Sequence, residues 1–520
     1  MEILENRALR FRTRNPQKYQ VIPKHHVTKI EGGYEILIHW GLDEARVLKN
    51  LGVKDVPSPI ERTYHWPGRY KPMAHQKVTA GFLTLHRRAF VFNDPGTAKT
   101  IAALWAADYL MQRGEVRRVL VICPLSIMQS AWIGDINSSI VHRSAIIAHH
   151  SQASRRIEMI QGDYEIVIIN YDGINLVADE IKADGRFDLI IVDEANAYAT
   201  QTTRRWKALA KLIQPHTFLW MMTGTPAAQS PLHAYGLAKL VNPTAVPNYF
   251  TAWRDKVMYK LTMFKWVAKP TAKDAVFTAL QPAIRFTKEQ CLDLPPVLKE
   301  TREVQLTPQQ AKYYKLIKEQ QLAVAAGETI SAVNKATVVS KLLQISCGAA
   351  LTENKEVVEF DATPRLNVLL EVLEETSRKV IIFALFRASI DQISTFLHKH
   401  GIASEEIHGG VTATKRGDII NRFQHQTDPR VLVMQPQATA HGITLTAADT
   451  VIFYGPLMSV EQYSQAIARA DRQGQTSDKV TVIHIQGSPI EKKMFDAMDL
   501  KVEDHALLTQ MFDIEMKGEK

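Results

Sequence analysis

Cysteine is scarce: 520 residues hold three, Cys123, Cys291 and Cys347, far apart and in no zinc-ligand spacing. That spacing excludes a disulfide framework and a zinc module. Two of the three sit in apolar or small-residue surroundings that suit core fillers in a reducing compartment. No apolar run approaches the roughly 20 residues of a membrane span. Met1-Glu2-Ile3-Leu4-Glu5-Asn6-Arg7 lacks an apolar signal-peptide core, so a soluble, cytoplasmic protein without a membrane partner is expected. Low-complexity stretches are missing, and 46% hydrophobic content argues against global disorder. Acidic residues fall short of basic ones, 54 against 63, for a net charge of +9. An excess of that sign points to a polyanionic partner and is silent about fold. The length predicts roughly two to four domains.

Glycine is also thin in the stretch that carries the most chemistry. Asp94-Pro95-Gly96-Thr97-Ala98-Lys99-Thr100 follows the apolar segment Ala89-Phe90-Val91-Phe92 and precedes an alanine-rich apolar run, Ile101 to Met111. The first segment reads as a short buried strand and the last as a helix. Strand, glycine turn, Lys-Thr and helix is the layout of a phosphate-binding loop. Backbone N–H groups at a helix N-terminus face the phosphates, and the helix dipole favours their charge. Lys99 would reach the β/γ-phosphates and the Thr100 hydroxyl would bind Mg²⁺. The strict pattern wants glycine where Asn93 and Ala98 stand, and only Gly96 survives. By itself Gly-x-x-Lys-Thr also fits an ordinary strand–helix turn.

A second segment weighs against that plain reading. Asp188-Leu189-Ile190-Ile191-Val192-Asp193-Glu194 is an apolar strand ending in two adjacent carboxylates. The C-terminal edge of a parallel strand is where α/β sheets bind ligands. Asp193 would hold Mg²⁺, and Glu194 would orient or deprotonate the attacking water. Loop and carboxylates together make an ATPase the expected activity, over a solvated acidic turn.

In chain order, residues 1–62 read as a separate small basic α+β module. Arg7, Arg10, Arg12, Arg14 and Lys18 form a basic lead-in. Tyr19 to Ile22, Val27 to Ile30 and Tyr34 to Trp40 read as strands, with Gly32-Gly33 as a hairpin turn. A helix is expected from Asp43 as N-cap through Leu51. The module's charge fits either a nucleic-acid contact or a solvated face. From Tyr70 to about Thr225 strands alternate with helices, the mark of a parallel sheet. The strands are expected at Ala89–Phe92, Val119–Cys123, Glu165–Ile169, Leu189–Val192 and Phe218–Met222. Residues 227–290 and 306–350 read as mainly helical, and Pro295-Pro296 as a linker between halves. Alternation then resumes, with strands at Val380–Ala384, Arg430–Met434, Thr450–Phe453 and Lys479–Ile485. The domains expected are 1–62, 63–295 and 296–520, the last with a helical protrusion at about 306–350.

A second sheet without its own phosphate loop points to a paired motor, in which that sheet lends arginines to the transition-state charge. In Gln465-Ala466-Ile467-Ala468-Arg469-Ala470-Asp471-Arg472-Gln473-Gly474-Gln475, the i, i+4, i+7 spacing predicts one helix face carrying Gln465, Arg469 and Arg472. Two arginines on one face also fit a surface stripe.

With these pieces in order, residues 70–500 resemble helicase superfamily two and, within it, the Swi/Snf-type DNA translocases. Gln76 looks like the adenine-reading glutamine, and Gly96 to Thr100 like motif I. Cys123-Pro124-Leu125-Ser126, with Trp132 following, is similar to motif Ia, and Asn170-Tyr171 to motif Ib. Asp193-Glu194-Ala195-Asn196 looks like motif II, and Thr223-Gly224-Thr225-Pro226 like motif III. Leu294-Pro295-Pro296 and Leu306-Thr307-Pro308-Gln309-Gln310 resemble the segment leading into the second motor domain. Ile381 to Phe386 resembles motif IV, followed by His408-Gly409. Thr439 to Asp449 resembles motif V, and Arg469 to Gln475 motif VI. Ala98, Asn196 and His441 depart from the pattern, where glycine, histidine and glycine are usual.

The resemblance implies two RecA-like parallel-sheet motor domains with helical insertions. It implies ATP and Mg²⁺ as cofactors, and duplex, forked or branched DNA as partner in preference to RNA. Lys99, Asp193, Glu194, Arg469 and Arg472 would be catalytic. Gln76, Gly96, Thr97, Ala98, Thr100, Gly442 and Asp449 would complete the nucleotide site, with Thr100 and Asp193 on the metal. Pro124, Ser126, Asn170, Tyr171, Thr223, Gly224, Phe386, His408, Gly409, Thr439 and Thr444 would face the DNA. Trp132, Tyr171 and Phe386 read as core packing before base stacking. The spare chain fits a monomeric prokaryotic or bacteriophage form, with a nucleotide-gated binder of little turnover as the alternative to a translocase.

Overall fold

A computed structural model describes residues 1–224, 230–261, 266–291, 294–325, 332–351, 356–439, 443–472 and 474–500. The chain divides into two compact units, Met1–Cys291 and Leu292–Lys520. Among the described residues no helix is long and apolar enough to cross a membrane.

The first unit opens with a four-stranded antiparallel sheet of β1 (Glu2–Leu4), β2 (Ala8–Thr13), β3 (His25–Ile30) and β4 (Gly33–His39), in the order β1-β2-β4-β3. Gly32, at φ +81°, supplies the left-handed turn of the β3–β4 hairpin. The basic lead-in is itself a strand. Leu9 and Phe11 pair with Ile38 and Ile36 on the core face, which leaves Arg10 and Arg12 on the other. On that outer face Arg10 bonds Glu2 (3.0 Å) and Arg12 stands opposite Glu35, so both signs of charge are present.

Two expectations are corrected in this module. Residues 19–22 form no strand; Pro16–Tyr19 is a 3-10 turn that delivers Tyr19 and Ile22 into the small core. The helix spans Leu42–Asn50 with Gly41 as its N-cap, and Asp43 and Glu44 lie in its first turn, where the dipole favours them. This helix anchors the module. Arg46 donates to Thr84 O (3.0 and 2.8 Å) and Lys49 to Leu85 O (3.0 Å), capping the last carbonyls of the helix Ala74–Leu85.

The larger sheet comprises β5 (Arg88–Val91), β6 (Arg118–Cys123), β7 (Ala145–Ile147), β8 (Ile166–Asn170), β9 (Phe187–Asp193) and β10 (Phe218–Met222). A hairpin, β11 (Met258–Lys260) and β12 (Trp266–Ala268), interrupts the later helices, before β13 (Ala283–Ile284) returns to the sheet. Its order is β13-β5-β10-β9-β6-β8-β7, with every pair parallel. The strands are apolar on both faces because helices cover both. Val119, Val121 and Cys123 of β6 enter one core, while Leu120 and Ile122 enter the other.

The second unit repeats the plan with β14 (Val297–Glu303), a hairpin of β15 (Ala349–Leu351) and β16 (Val357–Glu359), β17 (Lys379–Phe383), β18 (Ser404–Ile407), β19 (Val431–Met434), β20 (Ala448–Phe453) and β21 (Val480–Gln486). The sheet runs β14-β21-β20-β17-β19-β18, again all parallel. The stretch after Pro295-Pro296 is therefore not plain linker: Val297 to Glu303 pair with Val480 to Gln486 as an edge strand. Its charged sequence, Leu-Lys-Glu-Thr-Arg-Glu, conceals the strand because an edge stays wet and charge there blocks further pairing. The two parallel-sheet domains expected from the alternation of strand and helix are both present.

Candidate nucleotide site and the segments around it

Strands β5, β10, β9, β6 and β8 lie side by side and point the same way, so the segments leaving their C-terminal ends share one edge of the first unit's sheet. In spatial order these are the phosphate loop, Thr223-Gly224, Asp193-Glu194, the segment after Pro124, and Asn170-Tyr171. Val91, Met222 and Asp193 stand in register across β5, β10 and β9. Two strand spacings of ~4.8 Å thus separate the base of the loop from the carboxylates.

The loop is gripped from several sides. Gly96 and Ala98 both have positive φ, +89° and +53°. Ala98 completes a left-handed turn (ψ +43°) that swings Lys99 into the first turn of the helix Lys99–Gln112. A non-glycine residue held there costs about 1 kcal/mol, which neighbours must offset. His75 Nε2 donates to Thr97 O (2.9 Å) and Gln76 Nε2 to Ala98 O (3.2 Å), while Gln76 Oε1 accepts from Met73 N (3.0 Å). Gln76 is thus engaged with the loop and its own helix start. Asn93, where the strict pattern has glycine, donates to Thr79 Oγ1 (3.0 Å) and accepts from Phe286 N (3.1 Å). Asp94 accepts from Lys288 N (3.3 Å). His75 and Phe286 carry no local sequence signal of this role, because their partners lie far along the chain, and Asn93 stands out in the sequence only as a missing glycine.

Thr223 donates its N–H to Val91 O (3.0 Å) and is buried. A Cβ on Gly224 would stand 2.7 Å from Pro95 Cδ, so only glycine lets this segment close on the loop. Thr225 and Pro226 lie outside the described residues. Lys99 and Asp193 are buried, at 9% and 5% exposure. Asp193 Oδ1 accepts from Glu194 N (3.0 Å) and Oδ2 from Trp132 Nε1 (3.2 Å). Glu194 has φ +49° and starts the 3-10 turn Ala195–Tyr198, which contains Asn196. Tyr171 Oη lies 2.7 Å from Asp193 O and 3.2 Å from Glu194 O. Pro124 is buried at the start of the turn Leu125–Ile127, and Asn170 Oδ1 accepts from Arg156 Nη1 (3.3 Å). The side chain of Ser126 lies outside the description.

A buried ammonium, the first-turn N–H groups of a helix and a hydroxyl suit a polyphosphate. One or two carboxylates beside them suit Mg²⁺, which keeps waters and phosphate oxygens in its shell. Among the described residues no cluster of three or more His, Cys, Asp or Glu makes an all-protein metal cage.

In the second unit, Phe386 packs into the cores at the start of the helix Arg387–Lys399, after β17. His408 follows β18, accepts from Gly410 N (3.0 Å), and has a pKa below the usual histidine value because burial disfavours its charge. Gly409 is exposed beside it. These positions, with the turn Pro436–Thr439 after β19, occupy the C-terminal edge of the sheet. Gly442, His441 and Gln473 lie outside the described residues, as does the side chain of Thr439.

The arginines stand at the other edge, before β21. The expected single helix face is corrected: the helix Val460–Ile467 stops short of them. Past Ile467 the N–H groups of Arg469 and Ala470 bond back three residues, to Ala466 O (3.2 Å) and Ile467 O (3.1 Å), which tightens the last turn, and Leu445 N takes Arg469 O (2.9 Å), a tertiary bond that holds the chain out of the helix. Arg469 is buried, with Nη1 3.3 Å from Ile443 O. Thr444 therefore sits with the arginines and apart from Thr439. Asp449, at the same edge, accepts from Thr450 Oγ1 (2.9 Å) and Ser477 Oγ (3.1 Å). A cleft of about 390 Å³ opens there between Arg378, Lys379, Thr446, Gly474 and Thr476.

An open parallel sheet that presents a lysine loop and an acidic turn on one edge is that of a nucleotide-binding α/β domain. The SNF2-related domain family matches residues 74–349, over half of the chain, and the Helicase conserved C-terminal domain matches 364–474. The chain belongs to the SNF2-related family of helicase superfamily two. The SWI/SNF-related matrix-associated actin-dependent regulator of chromatin subfamily A-like protein 1 of Drosophila melanogaster is 23% identical over 399 residues, 75% of this chain and 49% of that protein. The Chromodomain-helicase-DNA-binding protein 1-like of Danio rerio is 25% identical over 414 residues, 75% of this chain and 38% of that protein. The chain thus spans half or less of the curated relatives it matches. Among solved structures, a Sulfolobus solfataricus SWI2/SNF2 ATPase core in complex with dsDNA aligns over 87% of this chain and 96% of its own, at 19% identity and a TM-score of 0.42.

Proposed function

We propose that the chain hydrolyses ATP with Mg²⁺ and uses the cycle to move on duplex, forked or branched DNA. The observation that carries this reading is the single edge on which the Lys99 loop, Asp193-Glu194 and the Pro124 and Asn170 segments emerge in sequence from neighbouring strands. Lys99 and the first-turn N–H groups would bind and neutralise the phosphates, and Thr100 and Asp193 would hold the cation. That cation, Mg²⁺, would supply positive charge to the phosphates. Glu194 orients the attacking water and takes up its proton. Arg469 and Arg472 supply positive charge to the transferring phosphoryl group, a contribution of about 10³-fold or more in related chemistry. The segments at Pro124, Asn170, Phe386, His408 and Thr439 track the phosphate backbone, so binding is salt-dependent and largely indifferent to sequence. Residues 1–62, with their basic residues, favour particular DNA structures.

The deciding experiment is ATP turnover without nucleic acid and with single strands, plain duplex, forked DNA and RNA, with Lys99→Ala as blank. Stimulation by duplex or fork supports a translocase. Turnover at the level of the blank on every substrate replaces this reading with that of a nucleotide-gated binder, for which the left-handed Ala98 in the loop is the specific motive.

A further inference from the structure

The acidic turn is held by two aromatic side chains that come from the next two segments along the sheet edge. Trp132 belongs to Met128–Ile133, a π-helical turn that continues the 3-10 turn after Pro124. A π-turn adds a residue to a helical path and re-aims the side chains beyond it, and such turns gather at functional sites. Here it aims the indole N–H of Trp132 at Asp193 Oδ2, 3.2 Å away and 61 residues along the chain. The ring is wholly buried, which removes it from base stacking. Tyr171, first residue of the helix Tyr171–Asp184, holds its hydroxyl between the carbonyls of Asp193 and Glu194. Those carbonyls flank the backbone of Glu194, whose left-handed φ of +49° a non-glycine residue keeps only when its neighbours impose it.

We infer that Trp132 and Tyr171 are positioning residues. Trp132 fixes the carboxylate of Asp193 and Tyr171 fixes the backbone of Glu194. Through them the state of the segments at 124–133 and 170–171 reaches the cation and the attacking water. The transmission to hydrolysis rests on the proposal that these segments hold DNA; the placing of the carboxylates does not. A buried N–H to a carboxylate is strong enough to matter, and losing it frees one oxygen to rotate off the cation.

Trp132→Phe keeps an aromatic ring and deletes the N–H; Tyr171→Phe deletes the hydroxyl. Three quantities separate positioning from packing: the Mg²⁺ concentration that half-saturates the fluorescence change of mant-ATP, the affinity for mant-ATP without Mg²⁺, and the stimulation of turnover by duplex. For Trp132→Phe the half-saturating Mg²⁺ rises about fivefold and metal-free affinity stays within about twofold. In both variants duplex stimulation falls about tenfold, and in Trp132→Phe duplex affinity by anisotropy stays within about twofold. A packing role predicts a lower melting temperature with unchanged Mg²⁺ dependence and unchanged stimulation, and that result overturns the inference. Should Trp132→Phe fail to fold, Tyr171→Phe decides by the same stimulation measurement. If the unaltered protein shows no duplex stimulation, the proposed motor function and the coupling fall together. The Mg²⁺ titration of mant-ATP binding then still upholds or overturns the positioning of Asp193.

Discussion

The two sheets share a plan and use it differently. In the first unit the strand-end segments proposed for nucleotide and for DNA leave the same edge, and aromatic side chains bridge the two sets within a few ångströms. In the second unit the sets divide. Phe386, His408, Gly409 and the Pro436–Thr439 turn follow strand ends, whereas Asp449 stands at the start of β20 and Arg469, Arg472 and Gln475 precede β21, one sheet-length away. A site confined to one edge can couple its ligands by direct hydrogen bonds. The interior of the second unit is tightly cross-linked. Fully buried Arg365 pairs with Glu491 (2.8 Å) and also reaches Ile485 O (3.1 Å) and Tyr454 O, locking the helices Thr363–Glu375 and Pro489–Asp499 to β20 and β21.

Breaking the arginine edge gives the largest effect. Arg472→Ala lowers turnover by about 10³-fold and leaves duplex affinity within about twofold, measured by phosphate release and anisotropy. Equal losses of both would show that the two edges are not functionally separate.

The rigidity of the second unit is next. Arg365→Ala leaves Glu491 buried without its cation and costs about 3 kcal/mol in chemical denaturation. That is the low end for such pairs, because Glu491 keeps bonds from Gly487 N and from Ser488 N and Oγ.

Acid tests both units at once. His86 in the first and His484 in the second are each lowered from the usual 6.5 to about 4, chiefly because burial disfavours the imidazolium. A depressed folded value means the unfolded chain takes up the proton first. Stability is therefore full above pH 6.5 and falls as pH drops from 6.5 toward 4. His86→Gln should flatten that part of the stability–pH curve for the first unit alone.

The opposite edge of the second unit responds more mildly. Gly409 is exposed and an added Cβ meets nothing within 4 Å, so Gly409→Asp adds charge without a clash. Duplex affinity should fall about fivefold, more at low salt, with DNA-free turnover unchanged. The smallest effect is Ala98→Gly. Relief of the left-handed alanine is largely offset by the freer unfolded chain, for a net gain of about 0.5 kcal/mol in thermal denaturation.

What the sequence determined by itself is local and periodic. Apolar runs closed by turns marked the core strands of both sheets, and adjacent chemistry such as Gly96-Thr97-Ala98-Lys99-Thr100 and Asp193-Glu194 was legible because its meaning lies in neighbouring residues. Charged or short strands escaped: β14 is wet at an edge, and β2 looked like a basic lead-in because its apolar half is only every second residue. The tertiary structure decided everything that joins distant positions. It clamped the phosphate loop with His75, Gln76, Asn93 and Phe286, ended the helix before Arg469, and set Trp132 on Asp193. Periodicity records which face of an element is buried, but not which buried N–H will meet which carboxylate. That pairing is fixed only when the sheet brings strands remote in sequence side by side and each buried polar group must find a partner.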